Sequence, residues 1–170
     1  MPIDIAEIES GVMDVLRCAP AFAGWKKKGK RVLWRACDDD LHQAVELIRY
    51  KASFDNRQLI SIGVLVSFPY EREWPVYVPQ EVWHKGRLYR RAYLVPGQGA
   101  IEHPRGDSGH ILTFTDPDAL HAWLPTLPAD IEAHLASWLG QYASLQEAWY
   151  DYEIPRWRLE QAGLVPPLPR

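Results

Sequence analysis

The apolar positions of this chain change period twice. Ile5, Ile8, Val12, Val15, Leu16 and Ala19 recur at three- and four-residue spacings, the repeat that gathers side chains on one face of a helix. Asp4, Glu7, Glu9 and Asp14 fall elsewhere, with acidic groups biased to the N-terminal end that the helix dipole favours. Pro20 ends this helix. From Lys30 the period falls to two. In "KRVLWRAC" Val32, Trp34 and Ala36 alternate with Leu33, Arg35 and Cys37, a strand pattern that is expected to turn Trp34 into the core. "DDD" at 38–40 reads as a turn, "LHQAVELIRYKAS" as a second extended run and "FDNRQ" as another turn. "LISIGVLVSF" sets Ile60, Ile62, Val64, Val66 and Phe68 on one face and Ser61, Gly63 and Ser67 on the other, the clearest strand in the chain. "GRLYRRAYLV" and "GHILTF" give two further strands, separated by the polar loop "PGQGAIEHPRGDS". Turns this short join antiparallel hairpins and leave no room for crossover helices.

After Phe114 the helical period returns. "TDPDAL" supplies a cap and places Pro117 at the first helical position, while Pro125 and Pro128 break and restart the helix. Leu135, Trp138, Leu139, Tyr142 and Leu145 follow at helical spacing, and "LVPPLPR" is a stiff extended tail. The pattern predicts a single α+β domain over residues 1–163, with a Pro-rich C-terminal tail at 164–170. Its sheet is expected to be antiparallel, of about five strands, flanked by an N-terminal helix and C-terminal helices.

Composition narrows the partner classes. The 170 residues carry a net charge of −3, which argues against a general nucleic-acid binder. The charge is uneven: "GWKKKGKRVLWR", Gly24 to Arg35, holds six basic residues, whereas the chain from Asp116 onward is acidic. Cys18 and Cys37 are too few for a disulfide framework or a cysteine zinc site, and both are expected to be buried, inert thiols. The acidic, interrupted N-terminus does not read as a signal peptide, and no apolar run approaches the ~20 residues of a membrane span, so a cytoplasmic location is expected.

The segments "GWKKKGKRVLWR", "AVELIRYKAS", "ISIGVLVSF" and "LTFTDPDALHAWLP", in that order, resemble the bacterial family called domain of unknown function 4304. The resemblance covers residues 5 to 145, and the stretch from Pro69 to Trp83 has no counterpart in it. It implies an immunity-type role, in which a small protein neutralises a toxin or effector by direct binding.

Three surfaces are candidates for function. "PYEREWPVYVPQEVWHKGRLYRR" interleaves Trp74, Tyr77 and Trp83 with Arg87 and Arg90, and aromatics with arginines are the composition of binding hot spots. On a protein-binding reading these residues anchor a partner, and Lys26, Lys27 and Lys28, placed in the loop entering a strand, steer it electrostatically. The loop "EHPRGDSGH" brings His103, Asp107, Ser108 and His110 within eight residues, the ingredients of a hydrolase or a metal-dependent enzyme. It lacks a nucleophile elbow and the helical histidine spacing that fixes two imidazoles on a metal. The basic 26–35 stretch offers a third reading, nucleic-acid binding with tryptophans stacked on bases. The leading expectation is a non-enzymatic protein-binding domain that holds no cofactor and no metal.

Overall fold

The computed structural model describes residues 3–51, 57–69, 83–84, 87–102, 104 and 108–144. Helix α1, Ile5–Cys18, begins where the Asp4 carboxylate accepts the Ala6 N–H at 3.0 Å. Satisfying an orphan donor in this way is worth about 1 kcal/mol. Ile8, Val12, Met13 and Leu16 are buried along one face, as the spacing predicts. Pro20–Phe22 then forms a tight 3₁₀ turn.

One antiparallel sheet of eight strands follows. Five are the strands read from the pattern: β2 (Val32–Ala36), β3 (His42–Tyr50), β4 (Gln58–Pro69), β6 (Arg87–Val95) and β8 (Leu112–Phe114). Three short ones are added: β1 (Lys26–Lys28), β5 (Trp83–His84) and β7 (Gly99–Ile101). Lys26 to Lys28 are thus strand and not loop. They pair with β2 across a turn in which Gly29 takes φ 64°, a left-handed conformation that suits glycine.

Along the sheet the order is β1-β2-β3-β4-β6-β5, and β7 joins β6 beside β5. β4 is the spine. β3 pairs along one edge from Ser67 to Leu59, while the other edge is shared by β6 at Gly63–Pro69 and β8 at Gln58–Ile60. The two faces of β4 separate as expected: Ile60, Ile62, Val64, Val66 and Phe68 are fully buried in the core. At roughly 25 cal/mol per Å² of apolar surface, each stabilises the fold by about 1.5–3 kcal/mol.

The helices cover that face. Asp116 caps α2 (Pro117–Trp123) by accepting the Ala119 N–H at 2.9 Å. Pro125 and Pro128 then divert the chain through a 3₁₀ turn, Leu124–Thr126, and a short helix, Leu127–Asp130. The chain continues through a π-helical stretch, Ile131–Ala136, into Ser137–Gly140. Leu120, Leu127, Ile131, Leu135, Trp138, Leu139 and Tyr142 from this segment complete the core with α1.

Two polar groups tie helix to sheet. Gln43, 1% exposed, donates from Nε2 to the Leu139 and Tyr142 carbonyls at 3.0 Å each, and its Oε1 accepts from Arg35. The Leu139 carbonyl also accepts the Tyr142 N–H at 3.1 Å, so Gln43 binds the last turn of the helical segment. Glu102, just past β7, accepts from Arg90, Trp138 and Tyr142. The architecture is α+β, an antiparallel sheet with helices on one side. Leu145 and the tail at 164–170 lie outside the described residues.

Candidate functional site: the open face of the sheet

No described helix covers the second face. Cross-strand register orders its side chains in rows. One row runs Lys26, Trp34, Ala44, Leu65, Arg91 and the next Lys28, Val32, Glu46, Gly63, Tyr93. Trp34 therefore belongs to this face, and its expected place in the core is taken by Leu33, which is 2% exposed. The reason is register: Leu33 lies opposite Val45, and Val45 opposite Val64, an apolar row that closes under the helices. Trp34 instead sits beneath Lys26, whose Nζ is 5.8 Å from the ring centroid, and against the His42 ring at 5.5 Å.

His42 opens a chain of contacts at one end of the face. Its Nε2 lies 3.1 Å from Asp40 Oδ1, and Asp40 Oδ2 accepts from Arg87 Nη1 at 2.8 Å. Arg87 also donates to the Asp40 carbonyl, the Ser67 hydroxyl and the Ser67 carbonyl. Asp40 adopts φ 58°, and its position at the end of the "DDD" turn lets side chain and carbonyl face Arg87 together. Burial, followed by the nearby Arg87 charge, lowers the His42 pKa against the opposing pull of Asp40.

The other end is a shallow groove of about 550 Å³, where β2 stops at Val32 and β3 continues to Tyr50. Lys28, Lys30, Arg31, Arg49 and Arg91 line it, with Glu46 the carboxylate among them. Arg31 pairs with Glu9 on α1 at 2.9 Å and Arg91 with Glu46 at 2.7 Å. Lys28, Lys30 and Arg49 face no carboxylate partner among the described residues. Gly63 lies opposite Glu46 in the register, and a Cβ there would come within 3.2 Å of Ile48 Cδ1.

The sequence-derived candidates divide as follows. Lys26 and Lys28 stand on the open face and Lys27 on the opposite one, all exposed. Arg87 is on the open face but held by four contacts, with its side chain 18% exposed. Arg90 is a correction. It stands opposite Val66 and two residues from Ala92, both buried, so it points to the covered side. There it forms a two-point pair with Glu102 at 2.9 and 2.8 Å and stacks 5.3 Å from the Tyr142 ring. Trp83 starts β5 opposite Leu88, while Trp74 and Tyr77 lie outside the described residues.

Of the histidine loop, His103 and Asp107 also lie outside them. Ser108 Oγ is 2.9 Å from His110 Nδ1, a local contact two residues apart, and the buried His110 ring packs 5.2 Å from Tyr93. Among the described residues no cluster of three or more His, Cys, Asp or Glu is placed to hold a metal. Cys18 is a second correction: it ends α1 exposed, off the apolar face. Cys37 is half-buried against the core.

The groove was not foreseen, because its cations come from three separated segments, 28–31, 49 and 91. The one available signal was alternation in β6, which sets Arg91 apart from Arg90.

The fold and face define an α+β domain with one helix-covered and one open sheet face. Compared with known protein families, curated proteins and solved structures, the chain matches none. Among the described residues no helix is long and apolar enough to cross a membrane.

Proposed function

We propose that this protein is a non-enzymatic binding domain that engages a protein partner through the open face of its sheet. The observation that carries the reading is charge segregation. In a chain of net charge −3, five cations line one groove on a sheet whose open face also carries Trp34, Tyr89 and Tyr93. Aromatic and arginine side chains supply most of the energy of protein interfaces, and a local basic field accelerates encounter with an acidic surface. An immunity-type role, neutralising a toxin or effector in the cytoplasm, extends this reading and rests on the resemblance to the domain of unknown function 4304 family. Trp74, Tyr77 and Trp83 stay in the proposal as anchors on the sequence pattern alone; Trp74 and Tyr77 lie outside the described residues, and Trp83 stands opposite Leu88 in the register. Arg90 leaves it.

The test is affinity capture from the native host's lysate with mass spectrometry, using the wild-type chain, Trp34→Ala/Tyr89→Ala and Trp74→Ala/Trp83→Ala. A stoichiometric protein lost with either double variant supports the reading. A folded wild-type bait that captures nothing, or one whose catch all three share, overturns it.

A further inference from the structure

β2 and β3 stay paired as far as Val32 and Glu46, and the Arg31 carbonyl then accepts the Leu47 N–H at 2.9 Å. β3 runs on through Ile48, Arg49 and Tyr50, still paired to β4 on its other edge. Antiparallel pairing alternates direction along a strand, so the Arg49 N–H and C=O point to the same side as the Leu47 N–H. No described strand faces them there. Three residues of open edge span about 10 Å, room for a short added strand.

The same notch is the basic groove. Lys28 and Arg91 stand on its open-face side, Arg49 on the other, and Lys30 and Arg31 at its mouth, where β1 turns into β2. Unpaired main-chain groups beside cations on both faces of one strand edge specify a ligand that is extended, brings its own amides and carries carboxylates on both sides.

We infer that the groove binds an extended acidic segment of a protein, which adds as a strand to β3 at Ile48–Tyr50. Main-chain hydrogen bonds give such a complex its register, and alternate side chains give it specificity. Carboxylates on one side of the added strand meet Lys28 and Arg91, and on the other they meet Arg49. A bare phosphate backbone offers anionic groups but no amides to pair with the edge, which favours the peptide. The inference deepens the protein-binding reading and depends on it.

The experiment uses the full chain and a fluorescein-labelled peptide of Glu-Glu-Thr-Thr repeats, which places Glu on both faces of an extended strand, read by anisotropy. Three comparators are used: the same peptide with Gln for Glu, the acidic peptide N-methylated at every amide, and a single-stranded oligonucleotide of equal charge. The expected result is saturable binding of the acidic peptide that weakens with salt, and at least about tenfold weaker binding on charge reversal in Lys30→Glu/Arg49→Glu. The N-methylated peptide is expected to lose binding as well, because it cannot complete the main-chain ladder. Tighter binding of the oligonucleotide, or equal binding of the Gln peptide, overturns the inference. So does indifference to N-methylation. Both exchanged residues sit at the surface, and circular dichroism of the variant confirms its fold. In the capture experiment, a partner held equally by wild type and Lys30→Glu/Arg49→Glu sinks the groove alone. Absence of any partner sinks the wider reading.

Discussion

Glu102→Ala strikes the point where sheet and C-terminal helices are joined. The carboxylate receives four hydrogen bonds: Arg90 Nε at 2.9 Å, Arg90 Nη2 at 2.8 Å, Trp138 Nε1 at 3.1 Å and Tyr142 Oη at 3.0 Å. Truncation removes these hydrogen bonds and the carboxylate charge beside Arg90 at a site where the two side chains are only 16% and 23% exposed. Breaking a fully buried ion pair costs about 3–5 kcal/mol, and the residual exposure here lowers that to about 2–4 kcal/mol. For a domain of this size the expected fall in Tm is about 4–16 °C.

Urea denaturation followed by tryptophan fluorescence measures the change directly, with an unchanged slope showing that the native and unfolded states stay comparable. A second arm removes both charges. Arg90→Leu/Glu102→Leu should lose less than Glu102→Ala, because both charges of the pair are replaced together by apolar groups. The pH dependence supplies a third arm. Burial raises the Glu102 pKa, but the hydrogen bonds and charge of Arg90, with Tyr142 and Trp138, outweigh it and hold the carboxyl below its ordinary value of 4.5. A lowered folded-state pKa means that this stabilisation is present above about pH 4.5 and disappears as pH falls through the folded value. Glu102→Gln should therefore show a shallower loss of stability on acidification. A loss below about 1 kcal/mol in Glu102→Ala, with the same acid profile in Glu102→Gln, would refute the argument.

Other expectations follow from the two faces. Ile62→Ala empties a fully buried site and should cost about 2–5 kcal/mol, whereas Leu65→Ala on the half-exposed open face should cost under about 1. Equal losses in chemical denaturation would mean that the faces are misassigned. Gly63→Val forces branched carbon against Ile48 Cδ1 and should destabilise by about 1–3 kcal/mol; an unchanged denaturation midpoint would show that Ile48 swings away freely. His42 should titrate below 6.5 by NMR, so the stability it contributes when neutral is present above that pH and lost as pH falls through the folded pKa. Arg87→Met should raise that pKa, and a stationary His42 titration would remove Arg87 as a cause.

Much of the sheet was legible because five apolar residues of β4 fall on one side, while the other mixes Ser61, Gly63 and Ser67 with Leu59 and Leu65. α1 and the Pro125 and Pro128 breaks were legible for similar reasons. In β2 the contrast vanishes. "VLWRA" has apolar residues in both phases, and long-range pairing with Val45 decides that Leu33 goes in while Trp34 stays out. Arg90 misled for the opposite reason. An arginine reads as surface, but its place opposite Val66 fixes it on the covered face, where Glu102 compensates its charge. The groove was illegible because it arises from a mismatch in strand length, five residues in β2 against nine in β3, which depends on register and turn geometry.

The divided edge of β4 has a consequence for how the chain is made. Gln58 to Ile60 wait for Leu112 to Phe114, and these emerge more than fifty positions later. At about 5–20 residues per second, the ribosome takes several seconds to deliver them. During that interval the most apolar strand of the protein carries an open stretch of backbone, a template on which neighbouring nascent chains can pair. Chains terminated just before Leu112 keep that stretch permanently and should collect in the insoluble fraction, while chains that reach the end of the C-terminal helices do not.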